Sequence, residues 1–206
     1  MAIGAQDRFA AGSDLTVQQP AIRDQLCRIG RDLFWMGLQS PWSGNLSAML
    51  EDGRSFVITR RGSSLRMLDP ERDFVQVEFN RPIPAEASSE VAVHHAIYCS
   101  TSHRAVVHAH PPYAIALSFG ARVISPIHNE AQAVLGDIQI TSSSTMEGHG
   151  EEPAPIVSVL RNGHVVMVRG HGAFSAGADC ESAFYYMGLL EAACKIVHLT
   201  RFTRPE

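Results

Sequence analysis

Apolar positions along the chain switch period repeatedly, from helical steps of three and four to short β-branched runs. Ile22, Leu26, Ile29, Leu33 and Met36 fall on one helical face, and that stripe stops at Gly37. Ser40-Pro41-Trp42-Ser43-Gly44-Asn45 reads as a turn-rich loop. Residues 55–59 and 74–79 have the composition of strands, with a polar loop over 60–72 between them. Pro82 and Pro84 break the chain before Ser88-Ser89-Glu90, which begins a helix carrying Val91, His94, Ile97 and Tyr98. Residues 105–108 form a short strand, and Pro111 and Pro112 suit the first turn of a helix running through Ala116 and Leu117. Further strands are expected over 122–124, 137–141 and 164–168, with a Gly/Glu/Pro loop over 147–155. Asp179 is positioned to cap a last helix with Ala183, Met187, Leu190, Cys194 and Val197 on its apolar stripe.

Helices and strands that interleave in this way predict an α/β domain with helices layered on a central sheet. The connections between residues 40 and 80 lack helices, so the sheet is expected to be mixed or antiparallel in part. Residues 1–17 show no periodicity and read as a loose lead-in, leaving 18–206 as one domain. A length of 206 residues and 22.5 kDa agrees with a single core.

Composition narrows the function. Acidic residues exceed basic ones by 21 to 17, and a net charge of −4 argues against a nucleic-acid partner. Cys27, Cys99, Cys180 and Cys194 are scattered without a C-x-x-C spacing, as expected of reduced thiols. The first residues lack the basic and apolar regions of a signal peptide, and no apolar run is long enough to span a membrane. The expected compartment is the cytoplasm. Ten residues are histidine, which directs attention to proton and metal chemistry.

His108-Ala109-His110 follows Val106-Val107, and side chains two apart on a strand share a face, so both imidazoles can converge on one ion. An isolated H-x-H pair is more often a pair of ordinary surface or core histidines, and the strand followed by Pro111-Pro112 is what favours the metal reading here. His171 lies between Gly170 and Gly172, a setting that suits either a ligand-approaching turn or a plain tight turn. Glu90, beside Ser88 and Ser89, reads as a helix-start acid or as a functional carboxylate.

Five segments in order resemble the class II aldolase/adducin family over roughly residues 20–200. They are Gly44-Asn45-Leu46-Ser47; Ile58-Thr59 with Gly62; Ser88-Ser89-Glu90 with His94 and Tyr98; Ala105 through Pro112; and His171-Gly172. The resemblance implies a three-layer α/β/α domain with a mixed, largely antiparallel sheet, and a homotetramer with active sites between subunits. It further implies that His108, His110 and His171 bind a divalent metal, zinc being usual and Mn2+, Co2+ or Fe2+ compatible. Glu90 would ligate the metal in the free enzyme and then act as acid and base. Gly44, Asn45, Gly62, Ser88 and Ser89 would hold a phosphate, and Arg61 stands where fuculose-phosphate aldolases have threonine. Arg60 and Arg61 could grip either a phosphate or a carboxylate.

Ile127-His128-Asn129-Glu130 lacks the tyrosine of those aldolases and looks closer to the His-x-Glu of methylthioribulose-phosphate dehydratases, which makes His128 and Glu130 candidate proton donors. The implied activity is aldol cleavage of a small phosphorylated sugar or ketose through a metal-stabilised enediolate. Dehydratase, epimerase and decarboxylase chemistry at the same site are the alternatives. A non-catalytic, adducin-like interaction domain is disfavoured because all four candidate ligands are present. His94 lies one helical turn from Glu90 and is expected to support it from behind.

Overall fold

Short runs rich in Val, Ile, Phe and Ala assemble into one sheet whose central strands bury both faces against helices. The computed structural model of the protein describes residues 15–142 and 151–201. In chain order its elements are α1 (Leu15–Trp35), β1 (Asn45–Met49), β2 (Ser55–Thr59), β3 (Phe74–Glu78), α2 (Val91–Ser100), β4 (Ala105–Ala109) and α3 (Pro112–Ser118). They continue with β5 (Val123–Ile124), α4 (Asn129–Val134), β6 (Ile138–Thr141), α5 (Pro153–Leu160), β7 (Val165–Val168), β8 (Gly172–Gly177) and α6 (Cys180–Thr200).

The strands run in the order β3-β2-β1-β4-β8-β7-β6-β5. Every neighbouring pair is antiparallel except β6 and β7, which are joined by the crossover helix α5. Alternate residues of the strands serve two cores. Leu46, Ala48, Val107, Ala109 and Met167 pack with Leu26 and Leu33 of α1, Leu117 of α3, and Met187 and Leu190 of α6. Phe56, Ile58, Val106, Val166 and Phe174 pack with Ile97 of α2 and Ile156 and Leu160 of α5. The architecture is therefore the three-layer α/β/α domain with a mixed, largely antiparallel sheet that the sequence predicts.

Several boundaries differ from expectation. Helix α1 begins at Leu15, so residues 15–17 belong to it, and residues 1–14 of the expected lead-in lie outside the described residues. Asn45 opens strand β1 instead of closing a loop. Residues 153–155 of the expected Gly/Glu/Pro loop form the start of α5, while 147–150 lie outside the described residues. Strand β8 intervenes between His171 and the last helix. Asp179 does cap that helix: it accepts from the Ser182 backbone N–H at 2.7 Å, and Ser182 Oγ reaches back to the Asp179 N–H. The four cysteines are free thiols, three of them buried. Among the described residues no helix is long and apolar enough to cross a membrane.

Candidate metal centre and its cleft

Two strand ends and one turn bring the histidines together. His108 lies on β4 opposite Asn45 of β1 and Phe174 of β8, and His110 follows two residues later on the same side. His171 occupies the turn between β7 and β8. The ring centroids of the three imidazoles are 5.0–5.1 Å apart in every pairing. Each offers one nitrogen, and these nitrogens lie within 4.8 Å of one another.

The histidines are held by what surrounds them. His108 is 1% exposed, stacks on Phe174 at 4.2 Å, and donates through Nδ1 to the Ala173 carbonyl at 3.0 Å, which leaves the Nε2 lone pair free. His171 Nδ1 meets Glu151 Oε1 at 2.9 Å, so its Nε2 is likewise the free nitrogen. Gly172 makes room for all this: a Cβ there would stand 2.6 Å from the Ala109 carbonyl oxygen and 2.6 Å from His110 Cδ2. Gly44 has φ +78°, and a Cβ there would meet the His108 carbonyl oxygen at 2.6 Å, so the chain entering β1 must be glycine to lie this close.

Burial keeps His108 and His110 neutral. His108 is pushed well below the ordinary imidazole value by desolvation and then by His110 and His171, and His110 is lowered to about 4 by desolvation and then by His171. Neutral imidazoles are the ligand form that a transition metal takes. The Nε2 atoms of His108 and His110 are 3.2 Å apart. Two nitrogens bound about 2.0–2.1 Å from one tetrahedral ion would be separated by about 3.3 Å, so this pair has the spacing of two ligands on one ion.

Glu90 and the predicted anion-binding residues share the cleft with the histidines, which has a volume of about 280 Å³. Glu90 is 7% exposed at the N-terminus of α2 and lies outside the tight histidine cluster. Its carboxylate accepts from the Glu151 backbone N–H at 3.2 Å. Desolvation raises its pKa, opposed by that hydrogen bond and by His171 and reinforced by the Glu151 charge. Gly44, Asn45, Arg61, Gly62, Ser88 and Ser89 all line the cleft, with Thr59, Arg60 and Ser63 beside them. Arg60 and Arg61 each use Nε on a backbone carbonyl, of Arg72 at 2.9 Å and of Ala87 at 3.4 Å.

His128 and Glu130 are not among the residues lining this cleft. They lie at the start of α4, where Glu130 Oε1 accepts from the Tyr185 hydroxyl of α6 at 2.8 Å. Glu151 is the residue that reading the sequence misses. Its only local signal is an acid placed just before the Pro153 start of a helix.

A mixed α/β sheet with three histidines converging at the end of a central strand, beneath a rim of hydroxyl, amide and guanidinium donors, defines a metal-site domain of the class II aldolase type. Residues 24–198 match the family model described as the Class II Aldolase and Adducin N-terminal domain, and the chain belongs to that family. It is 26% identical over 194 residues to a 3-oxo-tetronate 4-phosphate decarboxylase of Escherichia coli, covering 91% of both chains. It is 34% identical over 104 residues to a 3-oxo-tetronate 4-phosphate decarboxylase of Cupriavidus necator, covering 47% of this chain and 45% of that one. Among solved structures it resembles the L-fuculose-1-phosphate aldolase of Thermus thermophilus, with a TM-score of 0.82, 33% identity and coverage of 90% of this chain and 98% of that one. The three-histidine cluster is suited to the metal on which enzymes of this family depend.

Proposed function

We propose that this chain is a metal-dependent lyase that breaks a C–C bond beside a carbonyl in a small phosphorylated ketose or related sugar derivative, by aldol cleavage. The observation that carries this reading is one cleft holding three clustered imidazoles, a buried carboxyl and a rim of anion donors. His108, His110 and His171 would hold a divalent ion, zinc first among the candidates, which supplies Lewis-acid polarisation of a carbonyl oxygen when bound. Asn45, Ser88, Ser89, Arg61 and the backbone at Gly44 and Gly62 bind the phosphate and set the reacting carbons against Glu90.

Glu90 takes the proton from the substrate hydroxyl as the C–C bond breaks. That carbon leaves as an aldehyde, the bonding electron pair stays on the carbon beside the carbonyl, and Glu90 returns the proton there. A carboxyl whose pKa burial has raised is both a stronger base when ionised and an acid closer to neutral pH, as this two-way role requires. In this reading a neighbouring subunit of a homotetramer completes the cleft and offers His128 and Glu130.

A second reading, decarboxylation of a phosphorylated 3-oxo acid, is favoured by the adjacent guanidinium groups of Arg60 and Arg61. One would hold phosphate and the other the departing carboxylate. Loss of carbon dioxide leaves the electron pair on the carbon beside the carbonyl, and protonated Glu90 quenches it. The test is to incubate zinc-loaded protein with ketose 1-phosphates and with 3-oxo-tetronate 4-phosphate and to follow the products. Aldehyde release is expected, and carbon dioxide release would instead support the second reading. Loss of water, epimerisation, or no reaction with either class would overturn the C–C lyase assignment.

A further inference from the structure

Behind the cleft, four polar side chains are joined end to end within the core beneath α2. Asn45 Oδ1 is 2.6 Å from His94 Nε2, His94 Nδ1 is 2.6 Å from Ser47 Oγ, and Ser47 Oγ is 2.6 Å from the Tyr98 hydroxyl. All four residues are buried, His94 and Ser47 completely. The sequence arranges this simply: Asn45 and Ser47 are two apart on β1 and point to one side, while His94 and Tyr98 are four apart on the facing surface of α2.

With Asn45 Oδ1 facing His94, the chain has one consistent set of donors. Desolvation lowers the His94 pKa to about 3, so the ring is neutral and carries a single N–H. Asn45 Oδ1 can only accept, so that N–H is on Nε2 and Nδ1 must accept from the Ser47 hydroxyl. Ser47 has then spent its only hydrogen, and the Tyr98 hydroxyl must donate to Ser47 Oγ. With Oδ1 committed to His94, the Asn45 Nδ2 hydrogens are left for the cleft that Asn45 lines.

We propose that the Tyr98–Ser47–His94 chain is a positioning device that locks the Asn45 side-chain amide with its N–H donors toward the cleft, where they bind the anionic group of the substrate. This rests on the reading above that the cleft takes a phosphorylated substrate. The polarity matters because the flipped amide would present a carbonyl oxygen to the anion, and two acceptors facing each other repel. With the Tyr98 hydroxyl donating at one end and a neutral ring in the middle, the chain holds Oδ1 toward His94 and the N–H groups toward the cleft. A role confined to packing would need none of this ordering.

Two measurements on the metal-loaded wild-type protein test the proposal directly. Long-range 1H–15N spectra of the imidazoles should show His94 protonated on Nε2, and titration with inorganic phosphate should shift the Asn45 side-chain NH2 pair. A His94 ring protonated on Nδ1, with phosphate still binding, would overturn the positioning device alone. Failure of the wild-type protein to bind phosphate at all would overturn it together with the phosphorylated-substrate reading.

Two variants add a functional measurement. His94→Phe keeps a ring beside Phe174 and removes the N–H, so the phosphate Kd should rise about ten-fold, the low end of a hydrogen bond to a charged group. Asn45→Asp keeps the acceptor for His94 but replaces the donors by a charge, and it should weaken phosphate by about a hundred-fold or more. His94→Phe, which acts only through Asn45, should raise KM for the turned-over phosphorylated substrate with kcat and metal content within about two-fold of wild type. A His94→Phe protein with unchanged phosphate affinity, or one that loses kcat and metal together at constant KM, would overturn the proposal.

Discussion

Glu151 ties the metal-site candidates into one unit at the level of single residues. Its backbone N–H donates to the Glu90 carboxylate and its own carboxylate pairs with Nδ1 of His171, so one residue orients both the acid/base candidate and a ligand. A carboxylate behind a ligating imidazole fixes the tautomer and raises the basicity of the other ring nitrogen, and losing it generally costs about 10- to 100-fold in metal affinity. Glu151→Gln should therefore weaken zinc binding by about that factor, measured by competition with a chromophoric chelator. The contrast with the histidines shows what a sequence can reveal. His108 and His110 are two apart on a strand, and the period of the backbone alone makes them neighbours. Glu151 is 61 residues from Glu90 and 20 from His171, joined to them only after the turn between β7 and β8 has folded against the start of α5. No periodicity records that contact.

Elements were legible where local composition matched their final state, and hidden where pairing or packing decides. Strands β2, β3, β4 and β7 are rich in β-branched and aromatic residues and are read correctly within a residue or so. Strand β8, Gly-Ala-Phe-Ser-Ala-Gly, has no β-branched residue; it is a strand because β4 and β7 hydrogen-bond it from both sides. Its small residues are what allow α6 and the histidines to pack so closely. Helix α5 hides behind two prolines in its first turn, a position that lacks intrahelical donors in any case. Helix α3 depends on a cap from elsewhere: Glu191 of α6 accepts from the backbone N–H groups of Tyr113 and Ala114, each at 3.0 Å. That carboxylate closes the helix immediately following His110, so it supports the site through the element. Glu191→Ala would leave two helix-start donors without their acceptor and should cost about 1–3 kcal/mol in urea unfolding. Glu191→Gln retains an acceptor oxygen and should lose less than half as much.

For the molecule as a whole, so many buried neutral histidines make stability a function of pH. His94 titrates near 3 and His110 near 4 in the folded protein, both lowered chiefly by desolvation from an ordinary value of 6.5, and His108 is lowered as well. Below about pH 6.5 the unfolded chain takes up protons that the folded chain refuses, so folding stability is lost as pH falls from there toward 4. Each such histidine contributes a slope of about 1.4 kcal/mol per pH unit inside its window. Glu90 and Glu191 act with the opposite sign, because desolvation raises their folded pKa values and the native state then gains protons before the unfolded one. Four lowered histidines, His164 being the fourth, against two acids leave a net loss on acidification of the metal-free protein. His94 can be separated from the metal-binding histidines, since it belongs to the hydrogen-bond chain behind the cleft. Between pH 6.5 and 5, His94→Phe should reduce the pH-dependent loss of stability by about 2 kcal/mol, whatever its effect on stability at pH 7. Urea unfolding of metal-free wild-type and variant proteins at the two pH values gives that difference directly. A slope identical to that of wild type would mean that His94 is protonated in the folded protein. The metal-loaded protein should fall more steeply still, because protons compete with the ion for His108, His110 and His171.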